Sequence, residues 1–233
     1  MRYCEANLNI SLKNDTYVKN IVQVLSSGIN ECLLNNKDLS NMHKRNEFKP
    51  YSFSFPDEKI ENNIYEKNIS YNIRFRVIED MFCDIINCLE ERPNNFFVLN
   101  EVTSIRFIDQ DNIIINNLVS LSPSVVTQSN GKQITLDNMD LNFVKRAIEI
   151  NTIKKYNQFN DENTSLDTSF IEDIKVINKN RISYSYKNGF IIGNKYIIKI
   201  KKDKLSQKLA FTQLYSGMGE KNALGLGFCY MKR

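Results

Sequence analysis

The sequence predicts an α+β protein built from two tandem ferredoxin-like (RRM-like, βαββαβ) modules, and three observations carry that expectation. Segments in which apolar residues alternate lie between segments in which they recur at helical spacing, in the order strand, helix, strand, strand, helix, strand. That order returns in the second half with one hairpin added. A chain of 233 residues, 42% of them hydrophobic, can also bury sizeable cores. The modules are expected at 1–112 and 113–233, with the join between Asp109 and Leu118.

Arg2 to Leu12 alternates as a strand, and Asn14 or Asp15 is placed to cap the helix that follows. Val18, Ile21, Val22, Leu25, Ile29, Cys32 and Leu33 give that helix one apolar face, ended by Asn35-Asn36. A polar stretch leads to His43, after which Tyr51, Phe53 and Phe55 alternate as a second strand. Tyr71, Ile73, Phe75 and Val77 form one face of a third strand, with Asn72, Arg74 and Arg76 on the other. Ile78 to Leu89 is helical and stopped by Pro93, and Phe96 to Asp109 is the fourth strand.

In the second half a strand is expected over 113–127, where Pro123 favours an edge or a bulge. Asp137 is placed to cap a helix to about Tyr156, with Leu141, Val144 and Ile148 inward. Strands near 171–178, 181–187 and 195–202 are punctuated by Asn188-Gly189 and Gly193-Asn194, both hairpin-type dipeptides. Asp203 caps a last helix carrying Leu205, Leu209 and Leu214, and a final strand runs from about Leu224 to Met231.

Composition removes several function classes. No apolar run is long enough to span a bilayer, and Met1 to Glu5 is not a charged leader, so no membrane association is expected and the chain is assigned to the cytoplasm. The five cysteines (Cys4, Cys32, Cys83, Cys88, Cys229) are odd in number and contain no C-x-x-C pair, which argues for reduced buried thiols rather than disulfides or a zinc site. A net charge of +4 and a pI near 8.7 suit an RNA partner without requiring one.

Four of the eight glycines crowd into one loop near the C-terminus, Gly217, Gly219, Gly225 and Gly227, in a Gly-x-Gly-x5-Gly-x-Gly arrangement. Without Cβ atoms they tolerate positive φ and allow backbone N–H groups to approach an anion such as a phosphate. A dinucleotide fingerprint does not fit, because Asn222 stands at its third glycine and the loop follows a helix rather than a strand. The element resembles the glycine-rich signature of the CRISPR-associated endoribonucleases that cut repeat RNA, the Cas6 family of the repeat-associated mysterious protein superfamily. The resemblance spans nearly the whole chain, and tandem ferredoxin-like modules are what it implies.

His43 is the only histidine, and the resemblance implies that a histidine after the first helix acts in RNA cleavage. An imidazole with a pKa of about 6.5 suits both proton transfers that such a cut needs. Lys49 is the local cation to stabilise a pentacoordinate phosphorane, and a lysine shortly after the histidine is also a family feature. Tyr51 is a third candidate, although alternation equally places its ring in the core. Family members with a tyrosine on the first helix have no counterpart here, since Gly28 and Asn30 occupy that region. A two-histidine acid/base pair is excluded.

No carboxylate pair or His/Cys cluster has metal-ligand spacing, so cleavage is expected to need neither metal nor other cofactor, as the resemblance also implies. The implied products are a 2′,3′-cyclic phosphate and a 5′-hydroxyl. Candidates for RNA binding are the four loop glycines, Lys221 within the loop, Lys44 and Arg45 beside the histidine, and the cluster Lys199, Lys201, Lys202 and Lys204. Arg74 and Arg76 either read an RNA stem or face water, and the RRM stacking signature is missing.

The expected function is therefore metal-independent processing of CRISPR repeat RNA (pre-crRNA), and the expected partners are that RNA, other subunits of an interference complex and a second copy of the chain. The alternative is a non-catalytic crRNA-binding subunit of the same superfamily. A third reading, a structural protein whose glycine loop is only a turn, would be favoured by failure to bind repeat RNA at low salt.

Overall fold

The structure, a computed structural model, describes residues 1–34, 36–45, 47–58 and 60–232, with the side chains of His43 and Lys44 outside the description. The N-terminal half contains β1 (Arg2–Leu12), β2 (Thr16–Tyr17), α1 (Ile21–Leu34), α2 (Lys37–Lys44), β3 (Tyr51–Phe53), β4 (Ile64–Tyr65), β5 (Ser70–Ile78), α3 (Phe82–Glu91) and β6 (Phe97–Asp109). The C-terminal half contains β7 (Asn117–Ser120), α4 (Leu141–Asn160), β8 (Ile171–Val176), β9 (Ile182–Tyr186), β10 (Gly189–Gly193), β11 (Tyr196–Ile200), α5 (Lys204–Ser216) and β12 (Cys229–Lys232).

Two four-stranded antiparallel sheets result, with orders β3-β5-β1-β6 and β12-β7-β11-β8. Within each half the first and third strands are central and the second and fourth lie outside, which is the ferredoxin-like order twice over. In β1 the alternation works as expected: Cys4, Ala6, Leu8, Ile10 and Leu12 are all buried toward the helices. α1 meets them with Ile21, Leu25, Ile29, Cys32 and Leu33, and α3 with Phe82, Ile85, Ile86 and Leu89. Each such side chain contributes about 1.5–3 kcal/mol on burial. Gly28 lets α1 come close to β6, since a Cβ there would run into the Phe97 ring and the Asn94 side chain.

A second core gathers Val144, Ile148, Ile153 and Tyr156 of α4 with Leu209, Phe211, Leu214 and Tyr215 of α5. Tyr3 of β1 belongs to it as well, its ring 5.1 Å from Phe211 and 6.0 Å from Tyr215. The two halves are thus packed together at the very first strand.

Several expectations about boundaries are corrected. Asn14 and Asp15 do not cap α1: β2 and a short 3-10 turn at Val18–Asn20 intervene, and the Asp15 carboxylate accepts from the Lys67 amide instead. The polar stretch before His43 is helical, because the Asn36 side chain accepts from the amides of Asp38 and Leu39 and starts α2. Asp140 rather than Asp137 caps α4, which leaves Leu141 exposed on its first turn. The strand expected over 113–127 is ordered as β7 only from Asn117 to Ser120, and beyond it isolated bridges from Ser124, Val125 and Thr127 take over. The final strand starts at Cys229, not at Leu224. Among the described residues the added hairpin, β9–β10, pairs only with itself, and the Lys187 amide at its tip donates to Gln23 of α1. Four cysteines are buried and free as expected, but Cys83 is exposed on α3.

Candidate functional site

α2 is the element that carries His43, and its eight residues are held at both ends. Asn36 caps the start, and at the other end the Lys49 ammonium donates to the carbonyl oxygens of Met42 (2.6 Å) and Arg45 (2.9 Å). A cation on the last carbonyls of a helix satisfies orphan acceptors and complements the dipole. Burial lowers the Lys49 ammonium from its ordinary value, against a smaller opposing pull from Glu47. Arg45 is exposed beyond the helix. The candidate roles of His43 and Lys44 rest on side chains outside the described residues.

Phe48, Lys49, Tyr51 and Ser52 are each hydrogen-bonded to the C-terminal half. Gln158 of α4 accepts from the Phe48 amide (3.0 Å) and donates to the Phe48 carbonyl (2.9 Å). Asn222 donates to the carbonyls of Lys49 (3.0 Å) and Tyr51 (2.9 Å). The Ser52 hydroxyl donates to the Tyr215 carbonyl at 2.7 Å. The glycine loop is therefore docked against the segment that follows α2, which brings the two parts singled out in the sequence side by side. Lys221, next to Asn222 and in the left-handed region at φ 61°, is its exposed cation.

Inside the loop the glycines work differently from the sequence expectation. The amides of Gly217, Gly225 and Gly227 donate to the carbonyls of Gln213, Asn222 and Pro123, so they are spent within the fold and do not face an anion. All four glycines are buried. Gly227 has φ 73°, and a Cβ there would overlap the Met218 carbonyl oxygen; at Gly225 it would press on the rings of Phe53 and Phe55. Close packing against the protein's own backbone and aromatic rings, rather than open amides, is the reason for glycine here.

Beneath the loop lies Lys155 of α4, completely buried. Its ammonium donates to the carbonyls of Ser216 (3.2 Å), Gly217 (2.8 Å) and Gly219 (2.8 Å), and stands 5.8 Å from the Phe48 ring centroid. Burial pushes it down to about 7. Sequence reasoning passed over Lys155 and Gln158, and it used Asn222 only to exclude a dinucleotide fingerprint. The available signal was a lysine at a core position of the α4 repeat Val144, Ile148, Thr152, Lys155.

Other candidates are moved elsewhere. Tyr51 is fully buried, its ring 5.4 Å from Phe75, and its hydroxyl has no hydrogen-bond partner among the described residues. Burial raises its phenol, and a role in touching RNA is ruled out by enclosure. Arg76 does not read a stem: it is buried, with its guanidinium 4.2 Å from the Phe228 ring centroid, and donates to Glu5 (2.6 Å) and to the carbonyls of Leu214 (2.7 Å) and Cys229 (2.6 Å). Burial alone would raise the Glu5 carboxyl, but Arg76 and then Arg106 outweigh it and hold it below the ordinary value. Arg74 is partly exposed and paired with Asp57 at 3.1 Å.

Lys199 pairs with Glu172 at 2.6 Å, and Lys201 donates to the Ser169 carbonyl at 2.8 Å. These two and Lys202 lie at the N-terminal end of α5, whereas the glycine loop leaves its C-terminal end, about 20 Å away for a helix of this length. The lysine cluster and the loop do not outline one groove. Among the described residues no group of three or more His, Cys, Asp or Glu is arranged to hold a metal ion, and no helix is long and apolar enough to cross a membrane.

Comparison with known proteins agrees with this architecture. The family model for CRISPR associated protein Cas6, C-terminal, matches residues 105–231. The CRISPR-associated endoribonuclease Cas6 2 of Methanocaldococcus jannaschii is 26% identical over 242 residues, covering 95% of this chain and 96% of the relative. Among solved structures, one described as a RAMP protein binding different RNA substrates superposes with a TM-score of 0.73 at 17% identity, covering 99% of this chain and 100% of the other. A CRISPR associated protein Cas6 superposes with a TM-score of 0.70 at 18% identity and the same coverage.

Proposed function

The chain belongs to the Cas6 family of CRISPR-associated proteins, and from that premise we propose that it is an endoribonuclease that cuts CRISPR repeat RNA without a metal ion. The observation that carries the reading is the docking of Asn222 onto the backbone of Lys49 and Tyr51, which ties the glycine loop to the chain that leaves α2.

The reaction uses the RNA's own nucleophile. A base removes the proton of the 2′-hydroxyl as its oxygen bonds to the adjacent phosphorus, the bond from phosphorus to the 5′ oxygen breaks, and an acid delivers a proton to that departing oxygen. A 2′,3′-cyclic phosphate and a 5′-hydroxyl result. His43 at the end of α2 is assigned proton transfer, with water as its partner, because an imidazole of ordinary pKa about 6.5 serves as base or acid near neutrality. Lys49 holds the last turn of α2 and places a positive charge beside it, where negative charge grows on the phosphorane. Lys221 and Arg45 are assigned to the RNA backbone.

Repeat RNA from the host, incubated with the protein in excess chelator, tests the reading. Cleavage is expected to persist, and a single 2′-deoxy sugar before the scissile phosphate is expected to abolish it. Cleavage that stops in chelator, or that survives the deoxy substitution, overturns the mechanism.

A further inference from the structure

α4 carries none of the residues assigned to cutting, yet two of its side chains reach both parts of the site. Lys155 and Gln158 are three residues apart and so neighbours on the helix surface. The Lys155 ammonium has three protons, and three carbonyls of the chain entering the glycine loop receive them. An enclosed charge is costly, and an apolar side chain would serve packing better. What the charge provides is a fixed place for the carbonyls of Ser216, Gly217 and Gly219. The ring of Phe48 faces the same ammonium, and Gln158 grips the Phe48 backbone through both its N–H and its C=O.

We propose that Lys155 and Gln158 are positioning residues for the cleavage reaction, holding the glycine loop and the chain after α2 in one register so that RNA bound at Lys221 of the first is presented to the second. This rests on the endoribonuclease reading above. Neither side chain touches the reacting atoms. A small displacement of otherwise intact groups lowers the rate of the chemical step by up to about a hundredfold.

Gln158→Ala tests this on an exposed helical position, where alanine favours the helix and the fold is not at risk. Three quantities are measured on the full chain with repeat RNA: single-turnover cleavage at saturating RNA, RNA affinity and melting temperature. The cleavage rate is expected to fall about tenfold or more, with affinity and melting temperature unchanged. Gln158→Glu, which still accepts from the Phe48 amide but no longer donates to its carbonyl, is expected to fall between the two. Lys155→Met carries the same expectation with a larger loss of rate, and Gln158→Ala decides where that variant also loses stability. Wild-type cleavage matched by Gln158→Ala overturns the proposal and leaves the endoribonuclease reading standing. So does a fall in rate that only follows a fall in melting temperature. Absence of cleavage by the wild-type protein overturns the endoribonuclease reading itself, and this proposal with it.

Discussion

At Tyr51, on β3, a phenol lies sealed in the first core, stacked on Phe75, with no group among the described residues to receive its hydroxyl. A buried unpaired hydroxyl costs about 1–3 kcal/mol, so Tyr51→Phe is expected to cut repeat RNA at the wild-type rate and to melt no lower than the parent. A loss of cleavage in that variant would return the tyrosine to the site. The sequence left the ring's place open because alternation in a strand next to a polar segment does not say which face is the core. Asn222 shows the opposite limit. It was read as the residue that spoils a nucleotide fingerprint, whereas its amide holds the carbonyls of Lys49 and Tyr51, a contact across 171 residues or more that no local pattern encodes.

The glycine loop is the element whose composition was legible and whose physics was not. Crowded glycines announce positive φ or close approach, and both occur, but the approach is to the protein's own backbone and aromatic rings. Gly227→Ala is expected to destabilise the chain by about 3 kcal/mol or more, because it combines a left-handed φ with overlap on the Met218 carbonyl. Gly131, at φ 81° with nothing near its missing Cβ, provides the control: Gly131→Ala is expected to cost only about 1–2 kcal/mol. Equal denaturant midpoints for the two variants would contradict this account of the loop. α2 is the matching case among helices. Its polar sequence hid it from periodicity, and it is held by Asn36 before, Lys49 after, and Leu39 and Met42 packed on the first core.

Across the whole molecule the strand and helix order was readable because each core-facing element keeps its period, as in β1 and α1, so the tandem ferredoxin-like arrangement could be anticipated. What was not readable is how the halves meet. Arg76 on the carbonyls of α5 and β12, Tyr3 in the second core, and Asn222 on the carbonyls of Lys49 and Tyr51 are all polar or aromatic residues whose partners lie far along the chain. The Asn222 contacts bring the glycine loop of one half onto the chain that follows α2 in the other, and the proposed function assigns RNA binding and cutting to these different elements. Comparing wild-type protein with His43→Ala for both binding and cleavage of repeat RNA tests that division most directly. The expected result is unchanged affinity with cleavage reduced about a hundredfold or more. Cleavage by the variant at the wild-type rate would contradict it.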